Sequence, residues 1–218
     1  MVKKNIYIFP GSFKPPHIGH LINILRIIKN KNCEKIYIII SKKFRPLNNE
    51  YYNLNNKPSE YIKDLAKKLN IEYTTKINTI KNINNNLIKN NMVITQNDSY
   101  KIWKFYLKYL PNNLKEKIII IKSKDNSPII TTAKLIKKNN KNNNNYILLK
   151  SNKNSLNKRF DFIKSNNIKK KIINEYKKLS SSNFRNLLLK KKYDKINKFL
   201  PKNIEKNDFL NLIKIYKK

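Results

Sequence analysis

The sequence predicts an α/β domain built on a doubly wound parallel sheet, and three observations predict it. Short, almost wholly apolar runs at Ile36–Ile40 and Ile118–Ile121 read as strands covered on both faces. A strand at Lys4–Phe9, a helix at His17–Lys29 and a strand at Lys35–Ser41 make one βαβ unit, whose crossover should be right-handed. The 218 residues suit a single such domain, placed at residues 1–192, with a helical tail at 193–218 packed on it.

The elements follow in order. The first strand, Ile-Tyr-Ile-Phe, runs into Pro10-Gly11, a turn signal. The helix after it carries Leu21, Ile24, Leu25 and Ile28 at helical spacing. Phe44–Lys57 reads as an Asn-rich loop, and Ser59–Leu69 as a helix opening at Pro58 or Ser59. Met92–Thr95 reads as a weak strand, after which Asp98 or Ser99 caps a helix that runs to about Tyr109. Lys117–Lys122 is a strong strand and Thr131–Lys138 a short helix. Asn139–Asn145 reads as a low-complexity surface insertion, and Tyr146–Lys150 as a strand. A helix is expected at Leu156–Lys164, a strand at Ile168–Ile173, and a helix over Asn183–Lys191 behind Ser180–Ser182. The tail adds two helical stretches, the last near Asp208–Tyr216. No repeat interrupts this alternation, which places ligands outside the carboxyl ends of the strands.

Composition narrows the function classes. A formal net charge of +36 favours phosphate-rich ligands by long-range attraction. Lys is nevertheless mixed with Asn and Ile along the whole chain, the pattern a strongly AT-rich genome produces, so nucleic acid is not the favoured partner. One cysteine, Cys33, excludes an internal disulfide framework. No apolar run reaches the length of a membrane span and no signal-peptide layout opens the chain, so a cytoplasmic protein is expected. Self-association into a homo-oligomer is left open.

Chemistry concentrates in Pro10-Gly11-Ser12-Phe13-Lys14-Pro15-Pro16-His17-Ile18-Gly19-His20. The chain has two glycines and two histidines, and all four stand in this segment. It links the first strand to the first helix, at the carboxyl edge of the sheet. Gly11 is expected to allow a tight turn and a close ligand approach, and the prolines stiffen the loop. The helix start offers unpaired N–H groups to a phosphate. His17 and His20 share one helical face if both lie within the first turn, and Gly19 between them leaves room for a nucleotide to lie against the backbone.

Gly11-Ser12-Phe13 with Pro15-Pro16-His17-Ile18-Gly19-His20 resembles the GxFxPxHxGH signature of HxGH nucleotidyltransferases. Leu179-Ser180-Ser181-Ser182-Asn183-Phe184-Arg185 is similar to the second element of that superfamily, I-S-S-x-x-x-R. The resemblance implies a Rossmann-like fold and transfer of a nucleotidyl group from an NTP to a phosphate-bearing acceptor, with release of pyrophosphate. It implies that His17, His20 and Arg185 stabilise charge on the phosphates. Gly11, Ser12, Phe13, Lys14 and Gly19 would border the nucleotide, and Ser181 and Ser182 would hold phosphate oxygens. Mg²⁺ would ride on the triphosphate, with no metal ligands from the protein. Lys158-Arg159-Phe160 would add a further phosphate contact.

The acceptor is less specified. Many members carry Asp where this chain has Lys14. Lys42 and Arg45 lie in a segment resembling the basic stretch some adenylyltransferases place near the acceptor phosphate. The Asp98/Trp103 helix resembles a region of the mononucleotide adenylyltransferases, with Trp103 as a weak substrate contact and core packing as its plainer reading. The cytidylyltransferase pattern R-T-x-G-[IV]-S-T-[ST] is absent, which favours ATP over CTP. The leading expectation is therefore adenylyl transfer to nicotinamide or nicotinate mononucleotide, with phosphopantetheine and other small phosphates behind. A class I aminoacyl-tRNA synthetase fragment shares His17-Ile18-Gly19-His20, but the chain has no room for an anticodon domain. A basic nucleic-acid-binding protein would account for the charge and leave His17, His20 and Arg185 without a purpose.

Overall fold

The computed structural model describes residues 4–139, 145–151, 168–173, 179–202 and 204–216. Five strands form one parallel sheet: β1 (Asn5–Gly11), β2 (Cys33–Ile40), β5 (Ile118–Lys122), β6 (Asn145–Ser151) and β7 (Ile168–Ile173), in the order β5-β2-β1-β6-β7. The chain builds outward from β1 to β2 and β5, then returns to the other side of β1 for β6 and β7. The direction reverses between β1 and β6, the crevice where a doubly wound sheet takes its ligands. The expected parallel α/β sheet is present.

Alternation along the strands explains why they read as unbroken apolar runs. Tyr7, Phe9, Ile36, Ile38 and Ile40 face a core shared with α1 (Ile18–Ile28) and α4 (Gln96–Lys108). Ile6, Ile8 and Ile39 face the opposite side, against Ile129 and Ile136 of α6 (Pro128–Asn139). Both faces of these central strands are covered, so neither carries a polar series, whereas the edge strand β7 exposes Lys169, Lys170 and Lys171. Ile196, Phe199 and Leu212 join the first core, so the chain beyond residue 192 contributes to the main apolar cluster. Asp208 of α8 (Lys206–Tyr216) pairs with Lys108 at 2.7 Å and accepts from the Tyr109 hydroxyl, fastening this last helix to α4. Among the described residues no helix is long and apolar enough to cross a membrane.

Within residues 44–94 the expected helix at Ser59–Leu69 is present as α2 (Ser59–Lys68), and the rest departs in part from the sequence reading. Phe44–Lys57, expected as a loop, holds β3 (Arg45–Pro46) and two 3₁₀ turns, Asn49–Tyr51 and Leu54–Asn56. The segment expected as a strand at Met92–Thr95 is β4 (Val93–Ile94), paired antiparallel with β3 and outside the main sheet. Between them α2 (Ser59–Lys68) and α3 (Lys76–Lys89) enclose a third core of Leu54, Ile62, Leu65, Ile80, Ile83 and Leu87. The cap of α4 is Thr95, not Asp98 or Ser99: Thr95 Oγ1 accepts from the Asp98 N–H, and the Asp98 carboxylate accepts from the Thr95 N–H at 2.8 Å. The expected helix at Leu156–Lys164, the Lys158–Phe160 phosphate contact and most of the Asn-rich stretch near 140–144 lie outside the described residues.

Candidate active site

The signature loop leaves β1 at Gly11, whose carbonyl accepts from the Ser41 N–H at 2.9 Å. Gly11 does not adopt a positive φ, so the expected tight turn is not what it provides. A Cβ there would stand 2.7 Å from the Phe13 ring. Phe13 itself takes the left-handed conformation, φ 49°, and folds its ring back over Gly11. That ring is buried edge-on to Phe9 at 4.9 Å, His20 at 5.1 Å and Trp103 at 5.5 Å. Phe13 is thus core material in its side chain, and only its backbone can meet a ligand.

Three successive carbonyls of the loop are each held by a different donor. Arg185 Nη1 donates to Lys14 O at 2.7 Å. Ser181 Oγ donates to Pro15 O at 2.8 Å, and the Tyr106 hydroxyl donates to Pro16 O at 3.1 Å. Arg185 and Ser181 belong to α7 (Ser181–Leu189), capped by Ser180, whose Oγ accepts from the Asn183 N–H. The two sequence motifs are therefore stitched together at the carboxyl edge of the sheet. Ser181 gives its hydroxyl to the loop and Ser182 accepts from Arg185 Nη2 at 3.2 Å. What α7 offers a phosphate is its first-turn amides, which have no partner within a helix.

Lys14 has no accessible surface, and its ammonium donates to Ser41 O at 2.7 Å and Ser12 O at 3.2 Å. It is a strut between the ends of β1 and β2 rather than an outward phosphate contact. Burial, then repulsion from Arg45, lowers its pKa to about 7. Arg185, 7% exposed, also donates to Asn49 Oδ1 at 3.1 Å. Burial and Arg45 bring its pKa down to about 10, so it stays cationic at neutral pH.

His17 caps α1 and His20 occupies its first turn, with Gly19 buried between them. Their rings lie 3.7 Å apart between centroids at a 31° tilt. The His17 N–H donates to His20 Nδ1 at 3.1 Å, so a neutral His20 carries its proton on Nε2. Burial lowers the His17 pKa to about 4. Burial and the neighbouring His17 push His20 well below the ordinary imidazole range. Both are neutral at pH 7 and act as hydrogen-bonding groups rather than as cations.

A cleft of about 340 Å³ opens above the loop, lined by Ser12, Lys14, Arg45, Asn49, Tyr52, Ser181, Ser182 and Arg185. The structure thus brings Ser12, Lys14, Arg45, Ser181, Ser182 and Arg185 together from separate segments. His17 and His20 do not line this cleft; they sit beside it, at the start of α1, tied to it through the loop. Arg45 lies over the Tyr52 ring at 4.5 Å, a cation–π contact that fixes its guanidinium. No carboxylate stands among the described lining residues. Among the described residues no group of three or more His, Cys, Asp or Glu gathers as a metal site.

Two expected substrate contacts are corrected. Lys42 is exposed and is not among the residues that line the cleft. Trp103 is wholly buried, edge-on to Phe13 and to Tyr106, and has no face left for a base. Asn49, Tyr52 and Tyr106 were not legible as site residues. Tyr106 follows Trp103 by one helical turn, a spacing that signals only a shared buried face.

Comparison with known proteins bears on the fold. No family model matches the sequence, and no curated protein matches it. Among solved structures, the chain is similar to a bifunctional NMN adenylyltransferase/ADP ribose pyrophosphatase from Francisella tularensis. In the complex with AMP and a Mn ion the identity is 18%, covering 99% of this chain and 51% of that one, with a TM-score of 0.54. A second structure of that protein gives 18%, 99%, 52% and 0.52. The chain spans about half the length of these structures. A Plasmodium falciparum nicotinic acid mononucleotide adenylyltransferase complexed with NaAD is 14% identical over 97% of this chain and 95% of that chain, at a TM-score of 0.47. The chain therefore has the Rossmann-like α/β fold of the Francisella tularensis adenylyltransferase structures.

Proposed function

We propose that this protein is a nucleotidyltransferase that moves AMP from ATP to a phosphate-bearing mononucleotide and releases pyrophosphate. The observation that carries the reading is the joining of the two motifs: Arg185 and Ser181 are bonded to consecutive carbonyls of the histidine loop. The result is a cationic cleft at the carboxyl edge of β1, with no carboxylate among the described lining residues. The fold likeness to a structure of an NMN adenylyltransferase complexed with AMP supports ATP as donor and a mononucleotide as acceptor.

In the proposed reaction an acceptor phosphate oxygen attacks the α-phosphorus in line. The bond from that phosphorus to the oxygen bridging the β-phosphate breaks, and its electron pair leaves with pyrophosphate. Arg185 and the first amides of α7 hold the β- and γ-oxygens and take up the leaving charge. His20, with its proton on Nε2, donates to a non-bridging α-oxygen as negative charge builds there. His17 caps the same helix and packs against the His20 ring. Catalysis is then orientation plus fixed donors, and no covalent intermediate is required. A divalent ion would supply charge neutralisation on the triphosphate. The described lining residues include no carboxylate to hold it, so it would arrive with the nucleotide, as Mg²⁺.

The test is a pyrophosphate-release screen crossing ATP and CTP with mononucleotide, phosphopantetheine and sugar-phosphate acceptors. ATP with nicotinamide or nicotinate mononucleotide is expected to turn over with Mg²⁺, and His20→Ala to lose about 10²–10³-fold while staying folded. Wild-type turnover in His20→Ala contradicts the assignment. Amino-acid-dependent ATP–pyrophosphate exchange would point to the synthetase reading instead.

A further inference from the structure

We propose that Tyr106 is a positioning residue for this reaction: by holding the Pro16 carbonyl it keeps the His17 amide aimed at His20 Nδ1, and so keeps the His20 proton on Nε2. The inference rests on the functional reading above for its catalytic consequence, though not for its geometry.

The carbonyl of Pro16 and the N–H of His17 are the two ends of one planar peptide unit. Its oxygen accepts from the Tyr106 hydroxyl at 3.1 Å. Its N–H donates to His20 Nδ1 at 3.1 Å. Rotating this plane would break both bonds at once, so the phenol at one end decides what the imidazole meets at the other. A donor on the carbonyl also polarises the peptide and strengthens its N–H as a donor.

Tyr106 is suited to the task. It is fully buried, and its ring stands edge-on to Trp103 at 5.9 Å and 86°. Trp103 in turn packs edge-on against Phe13, whose ring meets His20. The phenol therefore has no freedom to follow a moving loop, and losing Pro16 O would strand a buried O–H. α7 secures the preceding two carbonyls, Lys14 O and Pro15 O. The hold on the peptide next to His17 comes from α4. The imidazole faces no carboxylate among the described contacts that could set its tautomer, only His17, Phe9, Phe13 and Trp103. The peptide N–H is what sets it.

With two histidines in the chain, ¹⁵N-histidine labelling of the full-length protein gives two imidazoles to read by long-range ¹H–¹⁵N NMR. His20→Asn identifies which is which. In wild type His20 is expected as the Nε2–H tautomer across neutral pH. In Tyr106→Phe that signal should move toward the mixed tautomers of a free imidazole and titrate closer to the ordinary histidine range. kcat should fall about tenfold with KM within about twofold, the pattern of an interaction made in the transition state. Ile102→Val, buried on the same helix, controls for lost packing and should leave the tautomer unchanged. A folded Tyr106→Phe with an unaltered His20 signal overturns the proposal, as does a wild-type His20 protonated on Nδ1. If Tyr106→Phe does not fold, 3-fluorotyrosine at position 106, a stronger donor, should shift the His17 amide proton downfield, and an unmoved amide overturns the proposal. A tautomer shift in a protein inactive toward every nucleoside triphosphate supports the peptide link and removes the functional reading instead.

Discussion

Arg185 donates from Nη1 to the carbonyl oxygen of Lys14 at 2.7 Å, across 171 positions of sequence. A buried guanidinium thus closes one edge of the site by binding backbone, while its other terminal nitrogen reaches Asn49 and Ser182. Arg185→Lys keeps the charge but lacks the planar fork that serves these atoms together. Leaving Lys14 O without a donor should cost about 1–3 kcal/mol. Turnover should fall about 10²–10³-fold. Thermal denaturation and pyrophosphate release check the two effects separately. A lysine variant with undiminished turnover would show that the fork is not used.

Gly11 and Phe13 are coupled by contact. A Cβ at Gly11 would press on a ring boxed in by Phe9, His20 and Trp103. Gly11→Ala should therefore destabilise by about 1–3 kcal/mol, the usual cost of overpacking. Phe13→Leu costs stability by itself, yet in combination it should relieve part of the alanine penalty. A double-mutant cycle in urea reads this coupling, and strictly additive losses would contradict it.

Folding stability should carry two pH signatures. His17 is lowered to about 4 from 6.5, so between these values the unfolded chain binds more protons than the native one. Stability is then lost as pH falls from about 6.5 toward 4. His17→Asn should flatten part of that limb relative to wild type, the remainder coming from His20, which burial also holds below the ordinary imidazole range. Lys14 is lowered to about 7 from 10.5. By the same sign its contribution grows as pH rises from about 7 to 10.5. The difference between wild type and Lys14→Met across that window isolates it. Chemical denaturation at stepped pH makes both comparisons, and parallel curves would show that neither group is held out of its charged form.

Arg45 and Lys42 were indistinguishable as basic residues of one segment, and the fold separates them. Arg45 lines the cleft above Tyr52, whereas Lys42 is exposed and is not among the lining residues. Pyrophosphate should raise the melting temperature of the wild type through linkage. Arg45→Ala should lose most of that rise, and Lys42→Ala should keep it. Equal behaviour of the two variants would mean that long-range charge, not the cleft, holds the anion.

The sheet was readable because buried strands of Ile, Tyr and Leu stand out from a Lys/Asn background, and every strand of the main sheet was placed within a few residues. The candidate loop stood out in the sequence because the two glycines and two histidines of the chain all fall in it. In the 44–94 module α2 and β4 were readable, and β3, the two 3₁₀ turns and α3 were not. Its helix α3 buries Ile80, Ile83 and Leu87 at helical spacing, a signal present in the sequence but diluted by asparagines that read as loop. The α4 cap was readable as Thr95-x-x-Asp98 and was placed three residues late. Asn49, Tyr52 and Tyr106 reach the site only through tertiary packing, which no local pattern encodes.

The central claim is that a triphosphate sits between the histidine loop and the start of α7. The most direct measurement is a crystal structure with a non-hydrolysable ATP analogue. The β- and γ-phosphates should lie within hydrogen-bond distance of the Ser181 and Ser182 amides and Arg185, with the α-phosphate beside His20 Nε2. An analogue bound elsewhere on the sheet, with this cleft filled only by solvent, would contradict the account.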